Sequence, residues 1–500
     1  MNGRPASKCI FDVMQDLLFD NATVVTMDAN RSILEYTSVG VRAGRVCEVG
    51  PARELRAKYA DAKKIDCSRK ALLPGLVDLH GYLGGSLLRS IGQNLGGGAR
   101  RNMLEELLTT ATDEEWWEVD AQLNALERLK FGTTCMFSMM GGNGTRTDDV
   151  VFAQTAAREL ERIGLRTRIG VGPARPPWPR EFTYWRGGTK ATRAVSFEQV
   201  IDNCDRLLSE RSNKPRGLVD YGVALSRIGN RNEHDPVWSP EREQWVHAQA
   251  VAARHLKEKH RVTFWTHMYG NSIEYAHDEK LGLLGPDCVF SHCTDISERA
   301  IGIMRDSGTH AAHHPRAARI YTYPGRAPVP ELIDAGVNVA LGSDSPSTHN
   351  CDLFLDMKAA IDQQRIHLKN ADILPPGKAL EMATIDGYKS LGLDQELGSV
   401  EVGKQADLIT VDLFQPHLCP RDMLIYRLVY NATGSDVSDV CVAGRLVVEA
   451  RKVLTIDEAA TLERVQAVYE RFVERAGLKE MRKNPERFWG VSRSSHGPTT

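Results

Sequence analysis

Four residues in this chain carry side chains that bind divalent metals, and they recur at equivalent places along it. His80 closes the apolar run Leu72 to His80. His267 lies near the end of Val262 to Tyr269, His292 near the end of Cys288 to Cys293, and Asp344 near the end of Val337 to Ser345. Three imidazoles and one carboxylate make a borderline-soft nitrogen and oxygen donor set suited to zinc, iron, manganese or cobalt. A lone histidine at a strand end is usually only a hydrogen-bonded residue. The same placement on four separate strands is not something that packing requires.

Other motifs carry less chemistry. Gly96-Gly97-Gly98 and Gly141-Gly142-Asn143-Gly144 lack both the lysine of a phosphate loop and the spacing of a dinucleotide fingerprint, so they read as plain loops. There is no Gly-x-Ser-x-Gly elbow, and no cysteine stands in a nucleophile context, which argues against acyl-enzyme chemistry. The sequons at Asn21, Asn143 and Asn431 have meaning only in a secreted chain.

The four donors need a scaffold that brings distant strand ends together. Eight strand-like runs are present: Leu72 to His80, Thr133 to Met139, Leu165 to Gly172, Leu218 to Ser226, Val262 to Tyr269, Cys288 to Cys293, Thr309 to His314 and Val337 to Ser345. Amphipathic stretches alternate with them, as in Leu123, Leu126 and Leu129 at helical spacing. Eight βα units predict a (β/α)8 TIM-like barrel over residues 72–391, with its active site at the carboxyl ends of the strands. On either side, short strands broken by Gly, Asn and Asp turns predict one small composite β-sandwich domain, built from residues 16–71 plus 395–452. Residues 453–484 read as a C-terminal helical segment, with Leu462, Val465, Tyr469, Phe472 and Val473 on one face and Gly477 as its stop. Residues 485–500 read as a polar tail.

Composition narrows the function classes. The 500 residues are 42% hydrophobic and 26% charged, the balance of a globular chain and not of a disordered or collagenous one. Lys plus Arg number 63 against 65 Asp plus Glu, so the net charge of -2 gives no global field for nucleic acid or an acidic membrane, and neither is an expected partner. The ten cysteines show no Cys-x-x-Cys pairing and fit free thiols in a reducing compartment. With no apolar signal at the N-terminus and no long apolar run, a cytoplasmic location is expected.

Two segments carry a family resemblance. Leu73-Pro74-Gly75-Leu76-Val77-Asp78-Leu79-His80 resembles the barrel entry of the amidohydrolase superfamily, and Gly342-Ser343-Asp344-Ser345 resembles its eighth-strand aspartate. The stretches from Leu380 to Gly387 and from Gly398 to Leu408 are similar to the chlorohydrolase and aminohydrolase branch, which holds triazine hydrolases and cytosine and guanine deaminases. Three positions depart from that pattern. Tyr82 stands where a second strand-one histidine is usual, Gly270 where a glutamate follows His267, and Asp295 where a histidine is common after His292.

The resemblance implies a metal-dependent hydrolase that attacks the carbon of an amide, urea, amidine or amino-heterocycle and breaks its C–N bond. It assigns His80, His267 and Asp344 to one divalent ion, with zinc first and iron, manganese or cobalt as alternatives. Tyr82 is either a further ligand or a packing group. Asp344 would take the proton of the attacking water and His292 would polarise the substrate. His313 is expected to face the site, and His314 to face away, because adjacent strand residues alternate. Trp178 and Trp185, in the proline-rich stretch after the third strand, would stack on a flat substrate, and Arg175, Arg180 and Arg186 are placed to meet a carboxylate. Two alternatives stand beside this reading: a catalytically degenerate binding or assembly subunit, and a metal-dependent lyase or decarboxylase. The partner is expected to be a small-molecule substrate, with the chain as a homodimer or higher homo-oligomer.

Overall fold

The computed structural model describes residues 15–93, 95, 97–141, 146–211, 217–229, 240–320, 325–484 and 488–492. The chain opens with β1 (Leu17–Val25), β2 (Ile33–Arg42), β3 (Arg45–Pro51), β4 (Lys63–Asp66) and β5 (Lys70–Pro74). Then come β6 (Leu76–Leu83), β7 (Thr133–Met140) and β8 (Arg166–Val171), a hairpin of β9 (Arg180–Arg186) and β10 (Thr189–Val195), and β11 (Val219–Leu225). β12 (Phe264–Tyr269), β13 (Cys288–Thr294), β14 (His310–His313) and β15 (Val339–Leu341) follow. The last strands are β16 (Leu408–Asp412), β17 (Val437–Val442), β18 (Arg445–Glu449) and β19 (Lys452–Val453).

The eight parallel strands β6, β7, β8, β11, β12, β13, β14 and β15 are hydrogen-bonded in that order. A parallel bridge between Gly81 and Asp344 brings the last strand back to the first, which makes the sheet a (β/α)8 barrel. Its interior is apolar below the catalytic end. Val77, Leu79, Cys135, Ala224, Val289, Ala312 and Ala340 surround Phe137 and Trp265, whose rings stack with centroids 3.7 Å apart.

Residues 17–74 and 408–453 meet in a second sheet of nine strands, ordered β19, β18, β17, β16, β5, β1, β2, β3, with β4 paired to β1. Its own core includes Phe19, Val39, Val41, Leu72, Leu408 and Cys441. The run Leu72 to His80, expected as one strand, is two. Residues up to Pro74 pair with β1 and β16 in the small sheet, and Gly75 hands the chain to the barrel. A Cβ at position 75 would come within 2.0 Å of Thr134 Oγ1, so only glycine passes there.

The helices start and stop as their sequences indicate. The side chains of Asp113, Asp149, Ser297, Asp352 and Asp457 each cap a helix N-terminus. The C-terminal helix Glu458–Ala476 ends at Gly477 in the left-handed region and packs Phe472 on Trp116, with ring centroids 4.3 Å apart. Gly96, the loop residues 142–145 and most of the tail lie outside the described residues. Among the described residues no helix is long and apolar enough to cross a membrane.

Candidate active site

A bulge in the first barrel strand aims the first donor. Asp78 pairs with Met136 and Gly81 with Ser138, so three steps on β6 oppose two on β7. Before the bulge the strand alternates normally. Val77 and Leu79 point into the barrel, while Asp78 points out to Arg128 on the helix Glu114–Lys130, where its Oδ2 accepts from Nε at 3.0 Å. The extra residue resets the phase, so His80 turns inward directly after Leu79 and Tyr82 follows it two residues later. A second irregularity, between β12 and β13, lies at His292 and Cys293, which hold φ of 70° and 49°. Asp344 is also left-handed, at φ 63°. Non-glycine residues held in this region cost energy, and they cluster at functional sites.

These features bring His80, His267 and His292 together, with ligand atoms within 4.8 Å of one another and all three side chains buried. His267 Nδ1 lies 2.5 Å from the carbonyl oxygen of Ser226. A carbonyl only accepts, so Nδ1 carries the proton and Nε2 presents a lone pair to the cluster. His80 Nδ1 meets Ser291 Oγ at 3.1 Å. The two Nε2 atoms are 3.3 Å apart, and Tyr82 Oη sits 3.0 Å from that of His80 and 2.5 Å from that of His267. The Tyr269 ring stacks on His292 at 5.1 Å. Burial pushes the His267 imidazole down to about 4 and those of His80 and His292 well below their ordinary value, so all three are neutral and able to donate to a metal.

Asp344 completes the group. Its Oδ1 is 3.9 Å from His80 Nε2, and its Oδ2 is buried with no hydrogen-bond partner. Burial, then the charges of Asp78 and Asp356, raise its carboxyl to about 7. The preceding residue fixes its position: Ser343 donates to Asp78 from both its backbone amide, at 2.8 Å, and its Oγ, at 2.5 Å. Sequence reasoning passed over Asp78 as an anchor, although it stands two residues before His80.

Comparison with known proteins places this geometry. The profile of the Amidohydrolase family matches residues 71–447. The chain belongs to the amidohydrolase family. Its curated relatives include the 5-methylthioadenosine/S-adenosylhomocysteine deaminase of Syntrophobacter fumaroxidans, 29% identical over 469 residues that cover 91% of this chain and 97% of the relative. The 5'-deoxyadenosine deaminase of Methanosarcina mazei is 28% identical over 478 residues, covering 92% and 99%. Among solved structures, an adenosine deaminase from Xanthomonas campestris with bound zinc superposes with a TM-score of 0.78 at 23% identity, over 92% of this chain and 99% of that one. Atrazine chlorohydrolase from Arthrobacter aurescens, with zinc and atraton, does so at 0.75 and 20% identity, over 91% and 100%. The protein is a hydrolase of carbon–nitrogen bonds, and these likenesses favour neither the assembly-subunit nor the decarboxylase alternative.

The residues present fit a metal ion. In a tetrahedral zinc site with Zn–N near 2.0–2.1 Å, neighbouring nitrogens stand about 3.3 Å apart, the separation of the His80 and His267 Nε2 atoms. The unpartnered Asp344 Oδ2 and the fixed tautomer of His267 point the same way. Gly270, in the place of the family's glutamate, has φ 52°, a backbone conformation that favours glycine. Asp295 is exposed on the loop beyond β13 and does not join the cluster.

Three expectations are corrected. The alternation along β14 has the opposite phase: Ala311 packs with the outer core and Ala312 with the barrel interior, so His314, not His313, turns to the cluster. The His314 ring lies 4.6 Å from that of His80 and 4.7 Å from that of His292. His313 is buried, with Arg319 and Arg326 the charges acting on it. Trp178 is buried against Phe197, and Trp185 donates its indole N–H to the Thr110 carbonyl at 2.8 Å beneath Arg475, so among the described residues neither meets the histidines. The proline-rich stretch leads into the β9–β10 hairpin, not an open loop, and Arg175 and Arg180 meet a carboxylate of this chain, Glu105. Alanine stands at both 311 and 312 and histidine at both 313 and 314, so residue type along β14 does not distinguish the two phases.

Proposed function

We propose that this hydrolase removes the exocyclic amino group of an adenine-like ring in a nucleoside-sized molecule, converting C–NH2 and water into C=O and ammonia. Supporting the substrate class are relatives named for such reactions that align over more than nine-tenths of the chain. The observation that carries the site is the convergence of His80, His267 and His292 at the carboxyl ends of three barrel strands, with Asp344 3.9 Å from His80.

His80, His267 and Asp344 would hold one divalent ion, zinc first, with the Tyr82 oxygen as a further ligand. Such an ion supplies Lewis acidity and makes a water nucleophilic near neutral pH. Asp344 Oδ2 accepts the proton of the attacking water. His292, neutral and stacked on Tyr269, orients the ring and polarises it at the carbon attacked. The Ser226 carbonyl fixes the tautomer of His267, and the Ser291 hydroxyl orients the His80 ring. Nine cysteines among the described residues are free thiols, in keeping with a cytoplasmic protein. Exposed Ile33, Leu34 and Tyr36 on β2 suit a homo-oligomer, which light scattering measures.

The test is elemental analysis beside ammonia release from adenosine, 5'-deoxyadenosine, 5'-methylthioadenosine, aminated pyrimidines and aminated triazines. About one zinc per chain is expected, with His267→Ala depleted of metal and Asp344→Asn losing turnover more completely than zinc. Protein without stoichiometric metal after growth in zinc, or with metal but no ammonia from any of these rings, sinks the proposal.

A further inference from the structure

Beside the three imidazoles that converge, the cluster holds a fourth, which has no role in the reading above. His314 Nδ1 lies 3.1 Å from the carbonyl oxygen of Gly342. That oxygen only accepts, so Nδ1 is the protonated nitrogen and Nε2 carries a lone pair. This Nε2 is buried and has no hydrogen-bond partner, and the whole residue is 1% exposed. Buried polar atoms are almost always paired, and an unpaired one calls for a bound partner that completes it.

The fold makes room for this ring deliberately. A Cβ on Gly342 would lie 2.8 Å from both Cε1 and Nδ1 of His314, so the glycine two residues before Asp344 is the space the imidazole fills. The ring packs against those of His80 and His292, with centroids at 4.6 Å and 4.7 Å. It does not belong to the set of ligand atoms that converge within 4.8 Å, which come from His80, His267 and His292. His314 is therefore a fourth imidazole of the cluster, outside those three.

We propose that His314 Nε2 accepts a hydrogen bond from an N–H of the reacting molecule, and so makes the site selective for rings that bear an amine at the attacked carbon over the same rings bearing a halide, ether or thioether there. A chlorine or alkoxy group has no hydrogen to give, and its binding leaves the lone pair desolvated and unpaired. This inference rests on the amine-releasing reading above. His314 acts as a neutral acceptor and no proton is transferred to it.

The experiment uses the zinc-loaded full chain with matched pairs, 6-aminopurine riboside against 6-chloropurine riboside and an aminated against a chlorinated triazine. Both turnover and calorimetric binding are measured. The amino member is expected to lead, and His314→Ala to lower the amino-to-chloro ratio of kcat/KM by about tenfold or more. His314→Gln, which keeps an acceptor oxygen, should recover part of that ratio. Zinc content should stay at the wild-type level in both variants. An equal loss on both members, or equal binding of both by the wild type, overturns the inference. Loss of zinc from His314→Ala overturns it as well, by making His314 a ligand. Selective binding of the amino rings without ammonia release sinks the proposed function and leaves the inference standing. If neither member binds, the inference falls.

Discussion

The backbone amide of Asp344 donates to the carbonyl of His80 over 2.8 Å, so a donor from the last barrel strand is tied to one from the first. The same contact closes the barrel through the Gly81–Asp344 bridge. The placement of these two proposed ligands and the closure of the barrel are therefore one structural event. Disturbing either should disturb both.

Asp78 is where this coupling is best tested. Its carboxylate takes two hydrogen bonds from Ser343 and one from Arg128, and the Arg128–Asp78 pair has no solvent exposure. Asp78→Asn leaves a buried guanidinium without its counter-charge, which costs about 3–5 kcal/mol. Urea denaturation should show that loss and metal analysis a parallel fall in zinc. Normal zinc content in a destabilised variant would separate the two roles.

Tyr82→Phe removes only the oxygen that lies between the two Nε2 atoms. Zinc affinity is expected to fall by about tenfold to a hundredfold, the range seen when a group supporting a metal site is deleted. Ferric loading gives an independent sign. A phenolate-to-iron absorption in the visible should be present in the wild type and absent in the variant, and its absence in both would exclude Tyr82 from the ligand set.

Gly270→Glu restores the residue type usual in the family but should not restore a function. At φ 52° a side chain costs about 1–2 kcal/mol, and a carboxylate there starts from a left-handed backbone. The variant should melt at a lower temperature than the wild type and release ammonia no faster. A gain in turnover would show that the loop relaxes to another path.

The β9–β10 hairpin should loosen in acid. Burial favours the neutral form of Glu105, yet the Arg175 and Arg180 charges outweigh it and hold the carboxyl below its ordinary 4.5. A carboxylate depressed in the folded state stabilises above its unfolded pKa, and that stability is lost as pH falls below about 4.5. Protection of residues 180–195 from hydrogen exchange, taken relative to the intrinsic rate at each pH, should fall over this range in the wild type. Glu105→Ala should show fast exchange already at neutral pH.

The sequence by itself set the eight barrel strands, the small sheet at the two ends, and the recurrence of His80, His267, His292 and Asp344 at strand ends. Strand and helix periodicity is local, and polar residues at the ends of apolar runs stand out without any knowledge of contacts. Tertiary structure alone decided which way those side chains face. The bulge between Asp78 and Gly81 turns Leu79 and His80 to the same side, and no alternation rule applied to β6 alone contains it. The phase of β14 is set by its pairing with β13 and β15, so the choice of His314 over His313 lies in register across strands. Trp185 looked available because aromatic character is visible in a sequence, while the Thr110 carbonyl and Arg475 that occupy it are 75 residues before and far after it in the chain. Side-chain chemistry is a property of the residue, but its direction depends on partners the chain meets only when folded.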